Sequence, residues 1–442
     1  MRNVLIRAFI ATASIAMMGC GGHSASDRLS AESDSATLAS LEARKAREER
    51  DRLWSRQLHE RLQTIEEKAK AANFNTALCV YDLTDDSLFS AFNEQKTMIP
   101  ASTHKLLTSI TALDTLGEDG KFRTHAFYEG SIEQGVLNGD LCVVGGFDPA
   151  FSYQDLQRLA KAVKNLGIQR ISGHIVGDIS MKDSLRLGYG WSWDDVPSPV
   201  TPCLTPLFFN HQRPIDGRMN MMMNADEYFL LMLQKELKAI GVESKEKAIK
   251  LSSSPSDTRL NKAFFTATHT IKDIMPTLLQ ESDNLYAEAL LYRLAATQHN
   301  AHATAKDGIS LLWNLLEKAG IDNKRLRIVD GSGMSLYNGF TAEAQVKLLR
   351  YAYQNKKGIF DVLYASLPVA GESGTMMERM KEGTAHGNVH AKTGTHTNAS
   401  CLTGYATASN GHLLAFAILC NGTTNRYGCR QFQDEICQEL TK

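Results

Sequence analysis

Ser102 and Lys105, in the string Ser102-Thr103-His104-Lys105, place a hydroxyl and an amine three positions apart. On a helix that spacing is one turn on one face, so the amine can take the hydroxyl proton and make the serine a nucleophile. The string follows Met98-Ile99-Pro100-Ala101 and opens the apolar, breaker-free run Leu106 to Leu113, which predicts a helix starting at the serine. A backbone N–H at such a helix start is free to bind a developing oxyanion. Burial against the apolar helix lowers the lysine pKa towards that of a usable base. A second Ser-x-x-Lys, Ser244 to Lys247, lies in the charged stretch Glu243 to Lys250 with no apolar helix behind it, and reads as solvated surface.

Two further strings carry the same chemistry forward. Ser282-Asp283-Asn284 precedes a predicted helix from Leu285 to Ala296, where Ser282 is either an N-cap or a hydroxyl that moves protons. Lys392-Thr393-Gly394 sits in Val389 to Thr395, whose alternation predicts a strand. Gly394 removes a side chain where another backbone or a ligand can come close. Lys392 with the hydroxyls of Thr393 and Thr395 forms a groove rim of cation and donors suited to a carboxylate. Taken in order, the three strings describe an enzyme that opens an amide through a covalent acyl-serine. A metal site is disfavoured: His386 and His390 lie four apart with His396 nearby, but Gly387-Asn388 breaks the helix and no zincin carboxylate accompanies them. No G-x-S-x-G elbow occurs, and no cofactor or metal is called for.

The flanks extend the pattern. Ile99 to Thr108 resembles the nucleophile segment of the D-alanyl-D-alanine carboxypeptidase/endopeptidase family of penicillin-binding proteins, the low-molecular-mass class C type (peptidase family S13). Gly145 to Pro149, Gly190 to Asp195, Ser282 to Glu288, Asp330 to Ser335, Leu367 to Gly371 and Gly374-Thr375 resemble further blocks of that family. The likeness runs from about Asn73 to Lys442. Two departures stand out: Leu336 occupies a place where the family usually has arginine, and Asn210 to Met219 runs straight on where many members carry another inserted domain.

The resemblance implies an α+β fold, with a penicillin-binding-protein/serine β-lactamase-like catalytic domain split by an inserted second domain. It implies that Ser102 attacks a D-alanyl carbonyl of a peptidoglycan stem peptide with Lys105 as base. Ser282 relays the proton to the leaving amine, and Asn284 holds the substrate amide and the Lys105 amine. The N–H groups of Ser102 and Thr395 form the oxyanion hole. Lys392, Thr393, Gly394 and Thr395 bind the substrate carboxylate, and β-lactam antibiotics act as inhibitors. Asp148 is a candidate for recognising an amino group on the stem peptide, although an aspartate before Pro149 reads equally as a turn former. The alternatives are a β-lactamase or esterase on the same scaffold, and a lipoprotein that binds the wall without hydrolysing it.

A net charge of −1 and 43 % hydrophobic residues imply no nucleic-acid partner. Arg2 and Arg7 precede an apolar stretch, Ala8 to Met18, that ends in Gly19-Cys20. This predicts a lipoprotein signal over residues 1–20, lipid attachment at Cys20, and a periplasmic location on a membrane, the outer preferred to the inner; an ordinary secretory signal is the alternative. The other seven cysteines show no regular spacing; a Cys429–Cys437 pair is open but not required.

Residues 21–37 read as a tether, and Leu38 to Ala72 as a helix with Trp54, Leu58, Leu62 and Ile65 on one face. Residues 38–121 then form the first part of the catalytic domain, 122–261 the inserted domain and 262–442 the second part. The gap from Ser102 to Ser282 is too long for any loop of a compact domain. The methionines of Met219 to Met223 read as packing residues.

Overall fold

The alternation in Val389 to Thr395 becomes the edge strand of a five-stranded antiparallel sheet whose strands, from that edge, are His390–His396, Ala399–Thr407, Leu413–Asn421, Asn75–Asp82 and Ser87–Phe92. The computed structural model describes residues 25–71, 74–195, 201–212, 225–245, 248–254, 262–299 and 301–442. The readings at Cys20 and at Met219 to Met223 lie outside the described residues, as does part of the second Ser-x-x-Lys. The chain divides into two units, residues 1–56 and 57–442.

Helix α1 (Ala25–Ala71) spans that division. It starts within the stretch read as a tether, so that reading is corrected from Ala25 onward. Residues 25–37 contain neither glycine nor proline, the two residues least compatible with a helix. In the first unit the helix carries i,i+4 pairs Arg44–Glu48 (3.3 Å) and Arg47–Asp51 (3.9 Å), each worth a few tenths of a kcal/mol at most. Within the second unit Leu58, Leu62 and Ile65 are buried and Arg61 pairs with Glu439 at 2.9 Å.

The first sheet is built from β1 (Asn75–Asp82), β2 (Ser87–Phe92), β11 (His390–His396), β12 (Ala399–Thr407) and β13 (Leu413–Asn421). β12 and β13 are buried almost throughout, so they read as continuous apolar runs and not as alternating strands. Helix α2 (Lys105–Leu116) follows a tight 3₁₀ turn, Ala101–His104, and contributes Leu106, Leu107, Ile110 and Leu113 to the main core.

The inserted segment has a sheet of its own. It contains β3 (Lys121–Tyr128), β6 (Leu141–Val144), β8 (Ile175–Asp178), β9 (Ile249–Ser252) and β10 (Phe265–Thr270), in the order β10-β3-β6-β8-β9. A smaller sheet joins β4 (Ser131–Glu133), β5 (Val136–Asn138) and β7 (Arg170–Ile171). Helices α3 (Tyr153–Asn165) and α4 (Ala225–Ala239) bury Leu156, Leu159, Phe229 and Leu233 in a second apolar core. The boundary expected at residue 261 is corrected: β10 pairs with β3 from Phe265↔Ala126 to Thr270↔Lys121, so the insert closes at Thr270. With its own sheets and its own apolar core the insert is the second domain of the fold, and it lies with the catalytic part in the one unit 57–442. Its Phe122, Phe147, Leu204 and Phe208 lie in the main core, which accounts for that union.

The chain then returns through α5 (Ile271–Gln280), α6 (Asn284–Ala295), α7 (Ala305–Lys318), α8 (Ala342–Gln354) and α9 (Asp361–Ser366). Helix α8 packs on β13 and β1, and the last helix, α10 (Arg426–Leu440), on β12. None of the seven described cysteines is joined to another in a disulfide. Cys429 and Cys437 share helix α10, about 12 Å of rise apart, which is beyond disulfide reach.

Candidate active site

The nucleophile segment is bent before it becomes a helix. Pro100 starts the 3₁₀ turn, Ala101 adopts φ 47°, and the Thr103 hydroxyl donates to the Pro100 carbonyl at 2.7 Å. Ser102 is thereby set at the lip of the turn with Lys105 beneath it. Lys105 is fully buried, and its Nζ lies 2.9 Å from Ser102 Oγ, 2.6 Å from Asn284 Oδ1 and 2.8 Å from the Ser332 carbonyl. Burial pushes its pKa down to about 8, against the pull of Asp330, Asp283 and Glu288. An amine of that kind is free base for a useful fraction of the time near neutrality.

The second string places its residues differently from a simple cap. Ser282 adopts φ 58°, a left-handed conformation closed to an N-cap, and the cap of α6 is Asp283, which accepts from the Tyr286 N–H at 3.0 Å. The cap reading of Ser282 is therefore corrected: its hydroxyl instead takes a hydrogen bond from Lys392 Nζ at 2.8 Å. Holding serine in that conformation costs on the order of 1 kcal/mol or more, a cost that recurs where function constrains the backbone. Asn284, first residue of α6, turns its Oδ1 to Lys105.

Lys392 does not stand on the groove rim as its strand position suggested. It is fully buried and bonds Ser282 Oγ and the Thr393 carbonyl, both at 2.8 Å. Burial and then the charge of Lys105 hold its pKa well below the usual lysine range. The rim belongs to Thr393, whose hydroxyl bonds that of Thr375 at 2.7 Å, and to the exposed Thr395. Gly394 packs against the nucleophile turn. Thus Ser102, Lys105, Ser282, Asn284 and Lys392 converge, with Thr393, Gly394 and Thr395 beside them.

Asp148 makes other bonds. Its side chain is 0 % exposed, accepts from the Ala150 N–H at 3.1 Å and pairs with His269 at 2.8 Å. The first of these is a turn bond, and among the described residues Asp148 shares no hydrogen bond with the cluster. Of the histidines weighed as metal ligands, His390 stacks on Tyr364 and His396 bonds the Met334 carbonyl at 2.9 Å.

Sequence reasoning assigned no role to the segment that supports this cluster. The Asp330 carboxylate accepts from the N–H groups of Gly333 (2.9 Å) and Ser335 (2.6 Å), from Asn338 Nδ2 (2.7 Å) and from Trp191 Nε1 (2.9 Å). Glu288 accepts from the N–H groups of Gly331 (3.0 Å) and Ser332 (2.8 Å). A signal existed: Glu288 lies four positions after Asn284 on one helix face, and an aspartate leading a Gly-Ser-Gly turn is suited to bonding its own backbone.

This geometry, a serine with a buried amine base and a second serine–lysine pair across a narrow groove, defines a serine acyl-transfer enzyme. Residues 57–214 and 212–442 match the model of the D-Ala-D-Ala carboxypeptidase 3 (S13) family, and the chain belongs to that family. It is 24 % identical to D-alanyl-D-alanine carboxypeptidase DacB of Haemophilus influenzae, over 83 % of this chain and 91 % of that one. It is 27 % identical to a D-alanyl-D-alanine carboxypeptidase of an Actinomadura species, over 81 % of this chain and 79 % of that one. In fold it matches the crystal structure of penicillin binding protein 4 from H. influenzae with a TM-score of 0.76 at 22 % identity, covering 84 % of this chain and 97 % of that one.

Proposed function

We infer that this protein is a serine D-Ala-D-Ala carboxypeptidase that hydrolyses peptidoglycan stem peptides and is inhibited by β-lactams. The observation that carries the reading is the buried Lys105 amine 2.9 Å from Ser102 Oγ. Lys105 takes the Ser102 proton as Oγ bonds the D-alanyl carbonyl carbon, and the carbonyl electron pair moves to oxygen. The N–H groups of Ser102 and Thr395 face that oxyanion, each donor worth roughly 3 kcal/mol of barrier. The intermediate collapses, the C–N bond breaks, and the leaving amine receives a proton through Ser282, whose hydroxyl Lys392 holds. Water then attacks the ester, and the acid leaves with Ser102 restored. Support for β-lactam binding comes from a relative in fold, the H. influenzae penicillin binding protein 4, which is known in complex with a β-lactam.

The test is incubation with labelled penicillin and with a peptide ending in D-Ala-D-Ala. A stable adduct on Ser102 and release of D-alanine establish the reading, and both disappear in Ser102→Ala. Rapid penicillin turnover without peptide cleavage would instead mean a β-lactamase. Neither adduct nor product would leave a wall-binding protein.

A second activity on the same site, cleavage of cross-linked peptides, is favoured by one feature. A pocket of about 520 Å³ is lined by the rim residues Thr393 and Thr395 together with Tyr427 and Arg430, space beside the rim for a leaving group larger than alanine. Release of two monomers from a cross-linked dimer would establish it, and D-alanine release without dimer cleavage would exclude it.

The reading extends to location: a periplasmic lipoprotein attached at Cys20. Its support is the run from Arg2 to Gly19-Cys20, and no described helix is long and apolar enough to cross a membrane. Labelling with fatty acid that disappears in Cys20→Ser would bear this out; labelling that persists would reject it.

A further inference from the structure

Helix α6 holds the base Lys105 twice. Asn284 does so directly, with Oδ1 at 2.6 Å from Nζ. Glu288, one turn along the same face, acts at one remove. Its Oε1 accepts from the N–H groups of Gly331 (3.0 Å) and Ser332 (2.8 Å), and the Ser332 carbonyl accepts from Lys105 Nζ at 2.8 Å. The glutamate is 1 % exposed and Ser332 is 0 % exposed, so water cannot replace either bond.

The arrangement has a chemical consequence. A neutral amine carries two N–H bonds and one lone pair. With its two N–H bonds given to Asn284 Oδ1 and Ser332 O, the lone pair is left for the third neighbour, Ser102 Oγ. That is the orientation in which a base takes the hydroxyl proton. If the Ser332 carbonyl swings away, the amine turns freely and the lone pair loses its aim.

We propose that Glu288 is a positioning residue for acylation: by pinning the two amides of Gly331 and Ser332 it fixes the Ser332 carbonyl and aims the Lys105 lone pair at Ser102. The proposal rests on Ser102 being the nucleophile. Glu288 touches neither the substrate nor the lysine; it acts through the loop. Its carboxyl also adds to the field at Lys105, together with Asp330 and Asp283, while Lys392 opposes them and the buried His104 lies alongside. Burial and the neighbouring Asp330 push the Glu288 carboxyl up to about 8, so its charge changes in the range where the lysine gains or loses its own.

The experiment measures penicillin acylation from pH 5.5 to 9.5 in the full protein and in two variants. Glu288→Leu removes the acceptor, and the acylation rate at saturating penicillin is expected to fall about 100-fold, the scale of a misaimed catalytic group. The dissociation constant of the initial complex stays within about threefold. Glu288→Gln keeps an oxygen for both amides, so the maximal rate is expected within about threefold of the parent. Without the nearby carboxylate the lysine loses its proton sooner, so the acidic limb of the profile moves to lower pH. A folded Glu288→Leu protein with parental rate overturns the proposal. Should Glu288→Leu fail to fold, Glu288→Gln decides alone: a shifted limb with a preserved maximum supports it, and a profile superimposed on the parent's, or a collapsed maximum, overturns it. A parent that is not acylated at all overturns the Ser102 assignment instead.

Discussion

Gly394 lies so close to the nucleophile turn that a Cβ on it would sit 3.1 Å from the Ser102 amide nitrogen and 2.7 Å from the Pro100 carbonyl oxygen. Real Cβ atoms rarely approach that near, and both neighbours are backbone, which cannot swing aside. Glycine here is what lets strand β11 form the opposite wall of the groove. Gly394→Ala is expected to force the strand outward and spoil the oxyanion donors, cutting penicillin acylation at least about 100-fold. The melting temperature is expected to fall as well, because the strand is pushed off its packing. Acylation at the parental rate would show that the two walls need not be this close.

Acylation is expected to rise with pH through about 8, where burial places the Lys105 pKa. The base is the neutral amine, so protonation below that value removes it and the rate falls about tenfold per pH unit. Stopped-flow acylation across pH 6 to 9.5 checks this. A rate flat over that range would mean that another group takes the Ser102 proton.

Ser282→Ala removes the hydroxyl that accepts from the buried Lys392 amine at 2.8 Å and leaves the Thr393 carbonyl. A buried donor that loses one of its acceptors costs about 1–3 kcal/mol, which a denaturant titration would measure. Turnover of a D-Ala-D-Ala peptide is expected to fall about 100-fold or more with the loss of the proton path to the leaving amine. Full turnover would place that path elsewhere.

Asp330→Ala leaves four donors without their acceptor: the Gly333 and Ser335 amides, Asn338 Nδ2 and Trp191 Nε1. All belong to the scaffold under Lys105, and Asp330 is 1 % exposed. A destabilisation of about 3–5 kcal/mol is expected, since several buried donors lose an acceptor at about 1–3 kcal/mol each and can re-pair only in part. A change below about 1 kcal/mol in chemical denaturation would contradict this reading.

The Asp148–His269 pair predicts a pH-dependent contribution to stability. The hydrogen bond from His269 to Asp148 raises the histidine pKa in the folded state, with Asp155 and Asp273 adding and burial opposing. A raised histidine pKa stabilises fully below the unfolded value near 6.5, and the gain disappears as pH rises through the folded value. The melting-temperature difference between the parent and Asp148→Asn should therefore be larger at pH 6 than at pH 9. Equal differences would mean that the pair contributes through its turn bond to Ala150 alone.

Much of the site was legible because its chemistry is local. Ser102 and Lys105 share one turn of chain, and the apolar run behind them states that the lysine will be buried. The spacing alone fixed neither the burial of Lys392 nor the turned backbone of Ser282. Both depend on two segments meeting across the groove, and strand alternation says only which residues share a face. Glu288 and Asp330 were visible as letters but not as a scaffold, since their bonds run to backbone amides of a loop whose path no periodicity records. The limit of the insert at Thr270 was missed for a similar reason: Phe265 to Thr270 pairs with a strand more than a hundred residues earlier.

Strand β1 pairs along its whole length with β13, more than 300 positions later, from Asn75↔Asn421 to Asp82↔Leu414. Assembly of the catalytic sheet consequently waits until β13 has been made. A nascent chain can finish the insert's hairpins and helices early, but it cannot seat β11 beside Ser102 until that later segment is made. Prematurely terminated products lacking β13 would leave β1 without its longest neighbour, an open edge prone to association, and would lack a working nucleophile. Synthesis of β13 thus serves as a built-in arming step for a hydrolase.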